Sequence, residues 1–194
     1  MLGYAGRILR VDLTSGKIET EPLNEELAKK YIGGIGLGMR LYLDNSKPGV
    51  EPFSPENPLI LTTGPLSGTM VPTGGNGHAF VSKSPASFGL GEAKSHGTFG
   101  TEMKRAGYDA IIFTGKAEKP VYLWIDDDAV HILDAQHLWG KSSAETEDAL
   151  QKELGDYYIR VASIGPAGEQ LVRIACIINE KTRACGRTGL GAVM

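Results

Sequence analysis

From residue 7 to residue 13 polar and apolar side chains alternate, Thr14-Ser15-Gly16 supplies turn residues, and residues 17–20 resume the alternation. A period of two on both sides of a short turn predicts a β-hairpin at the start of the chain. Asn24 then stands where a helix cap would, with Glu25 and Glu26 favouring the positive end of a first turn. Leu27, Ala28 and Tyr31 make its apolar stripe, and Gly33-Gly34 is expected to end it. A second helix is expected over residues 37–43. Pro48, Pro52, Pro55 and Pro58 mark an extended connection to the apolar strand 59–63.

The middle of the chain reads as loop, strand, loop. Gly64-Pro65 turns, the run Pro72-Thr73-Gly74-Gly75-Asn76-Gly77 forms a second tight segment, and residues 78–82 form a short strand. A glycine-rich stretch from 89 to 100 is expected to be loop, leading into a helix around 101–105. Residues 110–114 are apolar throughout, as in a strand covered on both faces. The strands 121–125 and 130–133 flank Asp126-Asp127-Asp128, whose turn closes a hairpin; these aspartates lack the glycine and distal glutamate of a calcium loop. Ser142-Ser143-Ala144-Glu145 has the form of a capping box for a helix through Leu154, stopped by Gly155. Two strands, 159–164 and 171–178, are expected around Gly165-Pro166-Ala167-Gly168, and the final residues 183–194 form no helix or strand. About eight strands and four helices, with hairpins outnumbering strand–helix–strand units, predict an α+β fold of largely antiparallel sheet.

Length adds that the 194 residues can bury a sizeable core as a single domain, 1–194, with no convincing linker inside it. A net charge of -3 gives no electrostatic case for nucleic acid or an anionic membrane. No apolar run approaches the roughly 20 residues of a membrane span, so a cytoplasmic address is expected. Two cysteines, Cys176 and Cys185, make neither a disulfide framework nor the four thiolates of an iron–sulfur cluster. Cys176, in an apolar run, reads as core and Cys185 as a small loop residue. His131 and His137 read as surface residues and His78 as a structural one at a strand start.

Catalytic signatures are missing: there is no Gly-x-Ser-x-Gly elbow, no P-loop and no His-x-x-x-His pair. Gly33-Gly34-Ile35-Gly36-Leu37-Gly38 follows a helix rather than a strand and lacks the spacing of a dinucleotide loop. What remains is glycine: 26 residues, clustered around 74–77, 89–100 and 183–191. Such loops let backbone N–H groups approach a bulky polar ligand, and Arg183 and Arg187 suit phosphates or a hydrogen-bonding heterocycle. Tight turns alone would account for the same glycines.

One set of runs carries further. Gly3-Tyr4-Ala5-Gly6-Arg7-Ile8-Leu9-Arg10-Val11-Asp12-Leu13 is followed in order by Ser54-Pro55-Glu56-Asn57, Thr63-Gly64-Pro65-Leu66-Ser67-Gly68-Thr69, Lys83-Ser84-Pro85 and Ala106-Gly107-Tyr108-Asp109-Ala110. Gly115-Lys116-Ala117, Ile164-Gly165-Pro166-Ala167-Gly168-Glu169 and the closing run from Arg183 to Met194 complete the series. Together they resemble the N-terminal domain of the tungsten-containing aldehyde ferredoxin oxidoreductase family over essentially the whole chain. The resemblance implies antiparallel sheets forming a saddle-like base with a few peripheral helices, on which a tungsten (or molybdenum) bis-pyranopterin sits. It implies that the protein contacts the organic part of that group and supplies no metal ligand or catalytic residue here. Its [4Fe-4S] cluster would lie in later domains or a partner subunit. Implied too are oxidation of aldehydes to carboxylic acids with ferredoxin as acceptor, and a homo-oligomeric full protein. A free-standing pterin-binding or assembly subunit is the alternative, and an unrelated nucleotide-binding domain, revived only by NAD or ATP binding, a third.

Carried over by motif, the family's pterin-contact positions fall on Arg183, Ala184, Gly186 and Arg187. The second set is Asn76 and Gly77 with the loop Lys94-Ser95-His96-Gly97, where many members have Asn-Ser-Gly-Gly. An arginine common in the family after the glycine turn is absent here, leaving Asn76 or His78 in its place. The early Gly-Gly-Arg-Gly reads Gly33-Gly34-Ile35-Gly36. These departures imply a divergent subgroup whose substrate need not be a simple aldehyde.

Overall fold

The computed structural model of the chain describes residues 1–72 and 75–194. Thr73 and Gly74, part of the tight segment expected at 72–77, lie outside the described residues.

The opening hairpin forms as expected, β1 (Arg7–Asp12) against β2 (Lys17–Pro22). Asn24 caps α1 (Glu25–Tyr31) by accepting from the Leu27 N–H at 3.1 Å. Ile32, at φ 64, closes that helix, and α2 (Gly34–Asn45) starts three residues earlier than the apolar pattern suggests. Strands β3 (Leu59–Thr63), β4 (His78–Lys83), β5 (Leu90–Ser95) and β6 (Ala110–Thr114), with helix α3 (Phe99–Arg105) before β6, complete the central sheet. Its order is β2-β1-β6-β3-β4-β5, antiparallel except for the β1–β6 pair. β5 corrects the expected loop at 89–100: Gly91 and the alternating Glu92, Ala93, Lys94 and Ser95 pair with β4 along its whole length.

This sheet separates two cores. On one face Ile8, Ile60, Val81, Ala110 and Ile112 pack under Ala28, Leu37, Leu41 and Tyr42 of the two helices. Gly38 permits that contact, because a Cβ there would lie 2.7 Å from Val81 Cγ2. On the other face Leu9, Val11, Leu61, Phe80 and Ile111 meet Ile177, Cys185 and Leu190 from the end of the chain. Each fully buried Leu or Ile of this kind contributes about 1.5–3 kcal/mol.

The hairpin β7 (Val121–Asp126) and β8 (Ala129–Asp134) closes over the exposed aspartate turn as expected. Helix α4 (Ser143–Leu154) carries the expected capping box. Ser142 Oγ accepts from the Glu145 N–H, Glu145 accepts back from the Ser142 N–H, and Gly155 ends the helix at φ 70. Leu138 and Leu150 pack in a small third core beneath it.

The last third departs most from the pattern. Strand β9 is only Ala162–Ser163, Pro166–Glu169 is a single-turn helix, α5, and residues 171–176 are turns rather than strand. Strand β10 (Ile177–Asn179) pairs with β9 and with β11 (Arg183–Cys185), and residues Leu190–Ala192 form a 3-10 turn. The closing run is therefore structured, held by its own strand pairing and by the buried Cys185 and Leu190. Cys176 is half-buried rather than core, and Cys185 lies in a strand rather than a loop. The result is a mixed α+β fold with largely antiparallel sheets. Among the described residues no helix is long and apolar enough to cross a membrane.

Candidate functional site

Sheet register decides where the loops meet. Thr63 pairs with His78 and His78 pairs with Ser95, so the end of β3, the start of β4 and the end of β5 share one edge of the central sheet. The α1–α2 junction stands against that edge. Between them lies an open cleft of about 460 Å³, walled by Ile32–Gly36, Gly64–Ser67, Gly77–Ala79 and Lys94–His96.

Five of the wall residues are glycine, the exposed wall is mostly apolar, and Lys94 is its one fixed charge among the described residues. Helix α2 begins at the cleft with Gly33 as its cap residue, no side-chain cap and no acidic residue in its first turn. With no side-chain cap among the described residues, its first N–H groups and the positive end of the helix dipole stand at the wall. Lys94 lies exposed on the same cleft beside His96. A cation and a helix N-terminus on one cleft suit the anionic, hydrogen-bonding part of a ligand.

Under the cleft floor the chemistry is neutral. His78 is 3% exposed, with Phe80 and Phe99 against it edge-on. Its Nε2 lies 3.8 Å from Cys185 Sγ, and its Nδ1 has no hydrogen-bond partner among the described residues. Burial, helped by the neighbouring His96, pulls the imidazole down to about 4 against the opposing pull of Glu180. Burial likewise pushes the Cys185 thiol up to about 12. Neither side chain carries charge near neutral pH.

Of the ten residues expected to form a site, Gly77, Lys94, Ser95 and His96 line this cleft. Gly97 follows directly and is packed against Arg183, whose Nε lies 3.3 Å from a Glu180 carboxylate oxygen. Ala184 is exposed in β11, and Asn76 is half-buried outside the cleft wall. Gly186 and Arg187 line a second, separate depression of about 400 Å³ with Ser84, Ser87, Ile174 and Thr188. Sequence reasoning placed Gly33–Gly36 among the cofactor and substrate loops without counting them as site residues, and missed Gly64–Ser67 as a cleft wall. The run of closely spaced glycines at 33–38 and the Gly64-Pro65 turn were the available signals. Among the described residues no group of three or more His, Cys, Asp or Glu side chains is placed to hold a metal ion.

The sequence profile described as aldehyde ferredoxin oxidoreductase, N-terminal domain, matches residues 8–194. The chain belongs to the aldehyde ferredoxin oxidoreductase family. It is 54% identical over 194 residues to the tungsten-containing aldehyde ferredoxin oxidoreductase of Pyrococcus abyssi, covering 100% of this chain and 32% of that protein. The Pyrococcus furiosus protein of the same name is 52% identical over the same shares. The WOR-like subunit of an aliphatic sulfonate oxidoreductase of Pyrococcus furiosus is 38% identical over 209 residues, with 100% of this chain and 33% of its own length covered. Among solved structures, a chain of the active site complex BamBC of benzoyl coenzyme A reductase, in complex with 1,5-dienoyl-CoA, superimposes with a TM-score of 0.96. It shares 41% identity, covering 100% of this chain and 29% of that one. The chain therefore spans about a third of the length of the family proteins it matches.

Proposed function

We propose that this domain, residues 1–194, is the base on which a tungsten (or molybdenum) bis-pyranopterin is held in a longer oxidoreductase. That enzyme would oxidise an aldehyde, or a related substrate, to the carboxylic acid. The observation that carries the reading is the whole-chain likeness to tungsten-containing aldehyde ferredoxin oxidoreductases at 52–54% identity. It is supported by a cleft whose residues fit the polar periphery of such a group. Lys94 and the first N–H groups of α2 would hold its anionic parts, while Gly77, Ser95, His96 and Gly97 let the backbone come close. Arg183 and Ala184 would contact it from the β10–β11 hairpin, while Asn76, outside the cleft wall, and Gly186 and Arg187, in the second depression, would meet only parts of it that extend beyond the cleft.

When bound, the group supplies two-electron redox chemistry, taking electrons as aldehyde and water become carboxylic acid and protons. This chain's residues bind and orient; metal ligands and proton-transfer groups are assigned to the remaining domains or a partner subunit, as is a [4Fe-4S] cluster passing electrons to ferredoxin. A cytoplasmic homo-oligomer is the expected form of the full protein. The relatives named for sulfonate and benzoyl coenzyme A chemistry, together with Ile35 in place of the family arginine, favour a second reading in which the same base serves a substrate other than a simple aldehyde.

The test is elemental analysis of the anaerobically purified native protein alongside assays with a panel of aldehydes. Tungsten together with about four irons per polypeptide and ferredoxin-linked aldehyde oxidation is the expected result. Tungsten without iron would identify a separate pterin-holding subunit, and no metal at all would overturn the reading.

A further inference from the structure

The cleft residue His96 and the start of α3 behind it are held by Asn179 and Glu180, more than 80 residues further along the chain. Strand β5 ends at Ser95, and the chain must then reverse to start α3 at Phe99. Thr98, at the start of α3, makes no side-chain capping bond of its own. The cap comes instead from Glu180, in the turn between β10 and β11. Its Oε1 accepts from the Phe99 N–H at 2.9 Å, from the Thr98 hydroxyl at 2.6 Å and from the Thr98 N–H. Next to it, Asn179, 1% exposed, donates from Nδ2 to the His96 carbonyl at 2.9 Å. Asn179, at the end of β10, and Glu180 beside it thus grip His96, Thr98 and Phe99.

The same carboxylate holds the opposite side of the site. Its Oε2 lies 3.3 Å from Arg183 Nε, and Arg160 Nε lies 3.7 Å from Oε1. A Cβ at Gly97, itself at φ 105, would collide with Glu180 Oε2 and with Arg183 Cδ, so only glycine lets the two segments close together. The turn pays for this reach in backbone strain: Glu180 and Lys181 both sit at positive φ, 50 and 63, which side-chain-bearing residues rarely adopt. Burial would raise the Glu180 carboxyl, but the Thr98 hydroxyl, the Thr98 and Phe99 N–H groups and Arg160 outweigh it and hold it below its usual range.

We infer that Glu180, seconded by Asn179, is a positioning residue that locks the Lys94–His96 segment and Arg183 into one rigid ligand-holding unit. The inference rests on the cofactor reading above, and goes beyond it by assigning that geometry to a residue outside the cleft.

The experiment uses the full-length native enzyme and reads tungsten per polypeptide, melting temperature, and KM and kcat separately. Glu180→Ala is expected to lower tungsten content by about 10-fold, as loss of a supporting contact typically does, and to raise KM in the molecules that remain loaded. Leu150→Ala, which opens a cavity under α4 away from the cleft, is expected to lower the melting temperature by at least as much and keep its tungsten. Glu180→Gln, which keeps an acceptor for Thr98 and Phe99, is expected to recover most of the tungsten and is also the variant to read if Glu180→Ala does not accumulate. Full tungsten and unchanged KM in Glu180→Ala, tungsten loss in proportion to melting temperature in both alanine variants, or a Glu180→Gln enzyme depleted to the roughly 10-fold level above would each overturn the inference. A wild-type enzyme without tungsten would overturn the cofactor reading instead.

Discussion

Asp109 holds the backbone of Gly6 from 103 residues away, its Oδ2 accepting from the Gly6 N–H at 2.6 Å. The carboxylate is 1% exposed, also accepts from the Ala5 N–H at 3.1 Å, and forms an ion pair with Lys104. It therefore fastens the entry to β1 to the residue just before β6, the two strands of the parallel pair. Asp109→Ala leaves the part-buried N–H groups of Ala5 and Gly6 and the buried Lys104 ammonium without their partner. It is expected to destabilise the chain by about 3–5 kcal/mol, measured by denaturant unfolding against wild type.

The contact between Gly38 and Val81 reverses the usual effect of filling a helical glycine. Alanine normally favours a helix by up to about 1 kcal/mol over glycine. Here the added methyl meets Val81 Cγ2 at 2.7 Å and Thr62 Oγ1 at 3.3 Å. Gly38→Ala is expected to cost about 1–3 kcal/mol. In a double-mutant cycle, Val81→Ala should relieve part of that cost, so the double variant is less destabilised than the sum of the two single changes. Additive costs would show that α2 shifts freely over the sheet.

Buried as it is, His78 makes folding sensitive to acid. Its folded value of about 4 lies below the ordinary 6.5, so between those values the unfolded chain binds the extra proton. The stability it allows is fully present above pH 6.5 and is lost as pH falls from there toward 4. Lowering the pH from 7 to 4.5 should remove roughly 2–3 kcal/mol through this group. His78→Gln should flatten that part of the pH–stability curve, and the wild-type His78 ring should show no titration above pH 5 by NMR.

Thiol chemistry should separate the two cysteines. Cys185 is fully buried with its thiol pushed up to about 12, whereas Cys176 is half-buried. Iodoacetamide at pH 8 is expected to modify Cys176 alone in the native chain and both after denaturation, read by intact-mass spectrometry. Rapid native modification of Cys185 would mean that the β11 layer opens.

Lys94 gives the site its most direct test. It is exposed on the cleft with no ion-pair partner among the described residues, so Lys94→Ala should leave the melting temperature unchanged. If the cleft holds an anionic cofactor part, the same change lowers tungsten content in the full-length enzyme.

Several elements were legible because their cause is local. The alternation of residues 7–20, the Asn24 cap and the Ser142–Glu145 capping box are each decided by neighbours within a few positions, and each formed as written. The closing motif and the ordered series of short runs pointed to the family for a related reason, since a motif is read directly from residue order. What could not be read was pairing at long range. Leu90–Ser95 carries three small residues and two charges, and its alternation lacks the large apolar side chains that mark a strand. It becomes one because β4 offers a free edge and the C-terminal layer covers its other side. The apolar run 171–176 shows the converse, since no partner strand is available to most of it.

The sequence by itself determined the α+β class, the hairpins, the capped helices and the family. Tertiary structure decided which expected residues meet. Register through Thr63, His78 and Ser95 puts Gly77, Lys94 and His96 around one cleft with the α2 N-terminus, while Gly186 and Arg187 fall in another depression. It also placed Glu180 at the back of the cleft segment, more than 80 residues along the chain from its partners. Such contacts depend on how strands align and layers stack, and those alignments are set by burial over the whole sheet rather than by any run of neighbouring residues.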